Sequence, residues 1–198
     1  MNIATLNKRL EGYQYVLASQ SPRRKAILED FGLPFTIEVR EVEENFPEGL
    51  SPLETAIFLA EKKSQAFSAG DIQDKTLIIT ADTVVAKDGV ILGKPSGEKE
   101  AREMLWMLSG DAHEVITGVH LKARNRKMHF GVSTKVFFKE LSLQEIDYYL
   151  TQYQPFDKAG AYGIQEWIGY AGIKRIEGSY FNVVGLPMHE LYEQLLKW

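Results

Sequence analysis

The sequence predicts a single α/β domain over residues 1–198, with a mixed, twisted sheet flanked by helices. Three observations carry that reading. Segments with the i, i+3, i+4 apolar spacing of helices alternate with β-branched and aromatic runs of strand length. Some of those runs are joined by short turns such as Asp88-Gly89, which makes neighbouring strands antiparallel. No linker, repeat or low-complexity stretch divides the 198 residues, a length that suits one core.

The elements follow in order. After a short amphipathic start, "YQYVLAS" (13–19) has strand composition. Ser21 is placed to cap a helix with Pro22 at its first position, where a missing N–H costs nothing. Ile27, Leu28 and Phe31 form that helix's apolar stripe, and Gly32 stops it. "PFTIEVREVEENF" (34–46) alternates like a strand and turns acidic at Glu41, Glu43 and Glu44. Ser51-Pro52-Leu53-Glu54 is a capping box that opens the next helix. "TLIITADTVVAKDGVILGKP" reads as a strand, a tight turn and a return strand, and "SGEKEAREMLWMLSG" as a helix closed by Gly110. "HEVITGVHLKA" and "MHFGVSTKVFF" are strands joined by the basic turn "RNRK". Ser142 and Glu145 form a second capping box, and that helix stops before Pro155. The Gly- and aromatic-rich residues 157–187 read as turns and short strands, and "PMHELYEQLLKW" as a final amphipathic helix.

Bulk properties narrow the function classes. A composition of 44% hydrophobic and 25% charged residues is that of an ordinary globular protein. A net charge of -4 argues against a general nucleic-acid binder. With no cysteine, disulfide frameworks and thiolate zinc sites are excluded. The first residues lack the apolar core of a signal peptide, and no apolar run approaches the roughly 20 residues that span a bilayer. A cytoplasmic protein without membrane partners is expected.

Three features bear chemistry. The first is "SPRRKAIL", where a helix N-terminus, itself positive, is followed by Arg23, Arg24 and Lys25 instead of acids. Unpaired N–H groups, the Ser21 hydroxyl and two guanidinium forks together suit a phosphate. The same arginines could instead pair with Glu29 and Asp30. If their partner is an external anion, replacing Arg24 or Lys94 should weaken binding while barely changing the melting temperature of the free protein. The second is Asp82, a carboxylate on the inward strand face of Ile78, Thr80 and Val84, costly there unless paired, hydrogen-bonded or bound to metal. A core Asp satisfied by an arginine or backbone N–H groups fits equally well. The third is the set around it. Glu41, Glu43 and Glu44 offer hard oxygen ligands or a solvated acidic loop. Lys63 beside Lys62 reads as a phosphate contact or an exposed helix face, and Lys94 in "LGKP" as a contact or a turn residue. There is no P-loop, no G-x-G-x-x-G fingerprint, no metal-type histidine spacing and no nucleophile elbow. The residues alone point towards hydrolysis of a phosphate ester or anhydride.

Taken together, "LASQSPRRKAIL", "VEEN", the Lys63 helix, "TADTVV", "LGKP", "LSGDAHEVITGV", "DKAGAYGIQ" and "GSYFNVVGLP" resemble, in order, the Maf family of nucleoside triphosphate pyrophosphatases. The resemblance runs from about Tyr15 to the last helix. It implies the ITPase-like (Maf/Ham1) α/β fold with an active site in a cleft between two lobes. The "ADT" and "AGAYGIQ" forms are similar to the subgroup acting on dTTP and UTP. By that resemblance Asp82 accepts the proton of the attacking water. Glu44 and Asp82 hold a divalent cation, Mg2+ or Mn2+, and Lys63 and Lys94 contact the triphosphate. Arg23, Thr83 and Gln165 match positions that set base choice. Gln20, Thr80 and Glu166 depart from the usual pattern, Glu166 standing where glycine is common. The implied alternatives are a 7-methyl-GTP pyrophosphatase, or a regulatory binding protein acting on septum formation. A homodimer is left open.

Overall fold

The computed structural model describes residues 11–198; the amphipathic start lies outside the described residues except for its last two. Seven strands form one mixed sheet: β1 (Gln14–Leu17), β2 (Phe35–Ile37), β3 (Thr76–Lys87), β4 (Val90–Leu92), β5 (Ala112–Lys122), β6 (Lys127–Phe138) and β7 (Ile173–Glu177). Their order is β2-β1-β3-β5-β6-β7, with β4 paired to β3 off this path. β1 runs parallel to β2 and β3, and the remaining pairings are antiparallel. The helices are α1 (Pro22–Phe31), α2 (Pro52–Gln65), α3 (Glu98–Leu108), α4 (Leu143–Tyr153), α5 (Trp167–Gly172), α6 (Tyr180–Val184) and α7 (Met188–Lys197).

Local chemistry accounts for most boundaries. Both capping boxes form, with Ser51 and Ser142 each bonded reciprocally to the glutamate three residues on. Gly32 ends α1 in the left-handed conformation, and Asp88-Gly89 has φ of 51° and 80°, as a type I′ hairpin turn requires. Two stretches differ from the sequence reading. The strand expected over 34–46 stops at Ile37, and 38–46 continue as irregular chain. Arg40 explains the departure, because it donates to the Ala66 carbonyl and to Asp71, both at 2.7 Å, and lies over the Phe67 ring. Those contacts draw the segment away from β1 and over the end of α2. Within 157–187, expected to be turns and short strands, only β7 is a strand, and α5 and α6 are helices. Ser179 starts α6 by accepting the Asn182 N–H at 3.3 Å, a cap without the glutamate that marks the longer helices.

Packing then sets up the site. Strand alternation sends Ile79, Ala81 and Val85 of β3 to one face and Ile78, Thr80, Asp82 and Val84 to the other. The first face carries two separate cores. Ile79 and Ala81 pack with Leu28 of α1 and Leu191 and Leu195 of α7, whereas Val85 packs with Leu105 of α3 and Tyr149 of α4. These are the two lobes. The second face is covered by α2, whose Ala56 and Leu59 meet Val84 and Ile116. Gly118 of β5 permits the approach, since a Cβ there would lie 2.3 Å from the Ala56 backbone. On the edge of β3 away from β5, β1 pairs with Thr76–Ile79 and β4 with Val85–Lys87. Residues 80–84 are left without a strand on that edge. The gap in the sheet lies between the lobes, with Asp82 and Thr83 inside it.

Candidate active site

A cleft of about 1020 Å³ opens at this gap, and Ser21, Arg23, Arg24, Glu44, Lys63, Asp82, Thr83, Lys94 and Gln165 all line it. They arrive from three directions. The first is the corner where β1 gives way to α1. The Ser21 hydroxyl accepts the Arg24 N–H at 3.4 Å, and the first helical turn holds no acid. Glu29 pairs with Lys25 at 3.6 Å and leaves both arginines alone. Arg23 reaches across the cleft to Asp157 at 3.3 Å. Arg24 turns inward and donates to the Gly185 carbonyl at 2.8 Å, the Thr83 hydroxyl at 3.1 Å and the Ser19 hydroxyl at 3.2 Å. Burial pulls the Arg24 pKa down, with the charge of Asp82 acting against that. The expectation that Arg24 has no partner in the free protein is therefore corrected: it ties β1, β3 and the Gly185 turn together.

The second direction is α2 facing the acidic loop. Lys63 Nζ bonds Asp82 Oδ1 and lies 2.8 Å from Glu44 Oε1, while Lys94 Nζ lies 3.1 Å from Glu44 Oε2. Charges thus alternate as Asp82, Lys63, Glu44 and Lys94. Burial alone pushes the Glu44 carboxyl up, but hydrogen bonds and charge from the two lysines outweigh it and draw the pKa to about 2. Lys62 and Lys63 do not share one exposed face: Lys62 donates to the Asn45 carbonyl at 2.9 Å, and together they clamp the acidic loop to α2. Asp82 is 9% exposed and its charge is met by a lysine, not by the arginine or backbone donors considered from sequence.

These carboxylates fit a hard divalent ion. Glu44 and Asp82 already converge on one cationic group, the Lys63 ammonium, and magnesium is commonly bound by one or two carboxylates plus substrate phosphates. Glu41 and Glu43 stay exposed at the rim, Glu43 accepting from Asn45 at 3.1 Å. Among the described residues no group of three or more His, Cys, Asp or Glu side chains is placed to hold a metal alone. His113 is buried with Nε2 2.7 Å from the Tyr162 hydroxyl, and burial lowers its pKa to about 4.

The third direction is the chain after α4. Asp157, Lys158, Tyr162, Gly163 and Gln165 all reach the cleft wall. The Gln165 side-chain oxygen is buried with no hydrogen-bond partner in the wall of the cleft. Thr83 also lines the cleft, 2.9 Å from the Thr117 hydroxyl, which donates to the Asn182 carbonyl at 3.1 Å. Sequence reasoning missed Ser19, Thr117, Asp157, Lys158 and the Gly185 carbonyl as cleft residues or supports. Asp157 and Lys158 were visible as a charged pair in "DKAGAYGIQ"; the others carry no sequence signal, because a hydroxyl or a carbonyl becomes a site element only through folding.

The family model described as Maf-like protein matches residues 14–198. A protein of Porphyromonas gingivalis (strain ATCC 33277) named dTTP/UTP pyrophosphatase is 51% identical over 188 residues, 94% of each chain. Proteins with the same name from Phocaeicola vulgatus and Christiangramia forsetii are 49% and 48% identical, the first covering 95% of this chain and 97% of its own, the second 96% of both. With a family match over nearly its whole length, and relatives at half identity aligned end to end, this chain belongs to the Maf family.

Proposed function

We propose that this protein hydrolyses dTTP and UTP to the monophosphate and pyrophosphate. The observation that carries the reading is the polarity of the cleft. One end is lined with cation–carboxylate pairs beside a helix N-terminus, and the wall of the other holds the Gln165 amide, whose buried oxygen has no partner. The first suits a triphosphate and the second a base edge. The names of the relatives at 48–51% identity support the same substrates.

In this reading Asp82 takes the proton from a water whose oxygen bonds to the α-phosphorus. The bond from that phosphorus to the bridging oxygen breaks, and pyrophosphate leaves. Lys63 and Lys94, released from Glu44 as phosphate oxygens replace it, meet the charge growing on the leaving group. Glu44 and Asp82 would hold Mg2+ or Mn2+, which when bound neutralises phosphate charge and polarises water. Ser21 and the Arg23 N–H, the one first-turn donor of α1 that is neither a proline's nor taken by the Ser21 hydroxyl, face the triphosphate, and the Arg23 side chain joins the base end. Thr83 and Gln165 face the nucleoside. Gln165 meets the adjacent carbonyl and N–H of uracil or thymine with its own donor and acceptor.

The test is pyrophosphate release, with magnesium or manganese, from dTTP, UTP, CTP, ATP, GTP and 7-methyl-GTP. dTTP and UTP should be cleaved well ahead of the rest. A preference for 7-methyl-GTP overturns the substrate, and silence across the panel favours a binding protein. No described helix is long and apolar enough to cross a membrane.

A further inference from the structure

Lys63 has the most exacting position in the cleft, because its one ammonium bonds Asp82 and lies 2.8 Å from Glu44 at the same time. Asp82 stands on β3 and Glu44 on the irregular loop, so the side chain meets both only if α2 sits at one height along the sheet. The buried residues of α2 are Thr55, Ala56, Leu59, Ala60 and Ser64, of which only Leu59 is a large apolar side chain. Apolar burial is non-directional, and with so few large side chains to interlock it fixes the helix weakly along its length. Directional bonds have to set the height.

The structure supplies such bonds on both sides of Lys63. Before it in the chain, Thr80 Oγ1 of β3 donates to the Ala60 carbonyl at 2.7 Å, and both residues are fully buried. The His120 carbonyl is a more distant acceptor for the same proton, at 3.3 Å. Thr80 lies two residues before Asp82 on the same strand face, and Ala60 lies three residues before Lys63, nearly one helical turn. The Thr80–Ala60 bond therefore runs beside the Asp82–Lys63 pair, one step back along both elements. After Lys63, Lys122 Nζ of β5 donates to the Phe67 carbonyl at 2.6 Å and the Ser64 carbonyl at 3.3 Å. Ser64 is among the last residues of α2, whose carbonyls lack partners within the helix, and a cation is favourable at that negative end.

We propose that Thr80 and Lys122 are positioning residues that hold α2 in register with the sheet, so that Lys63 stays within reach of both Asp82 and Glu44. This rests on the roles given to Lys63 and Asp82 above. Neither Thr80 nor Lys122 lines the cleft, and each acts through the backbone of the helix or of the residues just beyond its end.

The test is a double-mutant cycle on kcat for dTTP, run below the melting temperature of every variant. It uses Thr80→Val, Lys122→Met, Lys63→Met and each of the first two combined with Lys63→Met. Thr80→Val keeps the side-chain shape and removes the donor. It should lower kcat by about tenfold while KM moves by less than about twofold, because only the reacting geometry is displaced. Lys122→Met should act in the same direction by about threefold. With Lys63 already gone, either substitution should lower kcat by less than about twofold, since the register then has no ammonium to place. Thr80→Ser keeps the donor and should stay within about twofold of the wild type. A role in stability alone would lower the melting temperature while kcat stays unchanged, or falls equally with and without Lys63; either result overturns the proposal. If Thr80→Val does not fold, Lys122→Met and its combination decide alone. A near-normal kcat in Lys63→Met is a separate failure, which overturns the role of Lys63 itself and the proposal with it.

Discussion

The two ends of the cleft are built on opposite principles. At the proposed phosphate end the outer contact is an ion pair between side chains that reach solvent, Glu44 being 44% and Lys94 57% exposed. Such pairs contribute little to stability, and in the proposed reading they open for a triphosphate of higher charge. At the base end, the supporting contacts are hydrogen bonds to buried groups, Tyr149 and Gly163 among them. Those are costly to break and hold a geometry. In the proposed reading one end attracts and the other selects. A cleft that had to do both with the same residues would compromise one of them.

The largest effect expected is at the junction of the two ends. Asp82→Asn should lower turnover of dTTP by about a hundredfold or more, as loss of a general base does. Since Lys63 meets the Asp82 charge, the substitution should also lower the melting temperature slightly instead of relieving an orphaned charge. Near-normal turnover would remove Asp82 from the chemistry. Next comes Gln165→Ala, which should narrow the preference for dTTP over CTP by about tenfold or more, mainly by slowing dTTP. An unchanged order of nucleotides would separate Gln165 from base choice.

Arg24 and Lys94 sharpen the comparison further. Arg24→Ala removes the donors to Gly185, Thr83 and Ser19 and should cost about 1–3 kcal/mol in thermal or denaturant unfolding. Lys94→Ala should stay within about 0.5 kcal/mol yet reduce the thermal stabilisation given by a non-hydrolysable triphosphate. Equal stability losses in both would erase the distinction between a built-in cation and an exchangeable one. The smallest effect is a pH dependence. The Glu44 carboxyl is held near 2, below its ordinary 4.5, so the stability it adds is complete above about 4.5 and fades as pH falls towards 2. The gap in melting temperature between the wild type and Glu44→Gln should therefore close over that interval, and a gap independent of pH would contradict the pairing with Lys63 and Lys94.

The charged end of the cleft was legible in the sequence because charge is read residue by residue. Arginines at a helix N-terminus and an aspartate in an apolar strand stand out without a fold. Capping boxes and the Asp88-Gly89 turn were equally local, and they placed α2, α4 and the β3–β4 hairpin. What was not legible depends on tertiary contact. The strand expected over 34–46 yielded to Arg40, whose partners Ala66 and Asp71 are far along the chain. Arg24 looked like a free cation because the Gly185 carbonyl that it meets is 161 residues away. α5 and α6 were hidden by glycines and aromatics that suggest turns, and Tyr149 looked like one more apolar helix residue until its hydroxyl was seen beside Glu166.

The measurement that tests the account most directly is a crystal structure with a non-hydrolysable dTTP or dUTP analogue. The account predicts phosphate oxygens on Lys63, Lys94 and the Arg23 N–H at the start of α1, with the Glu44–Lys94 pair opened. It also predicts the N3–H of the base on Gln165 Oε1 and a neighbouring base carbonyl on Gln165 Nε2. A nucleotide bound the other way round, or one whose base leaves Gln165 Oε1 without a donor, would contradict it.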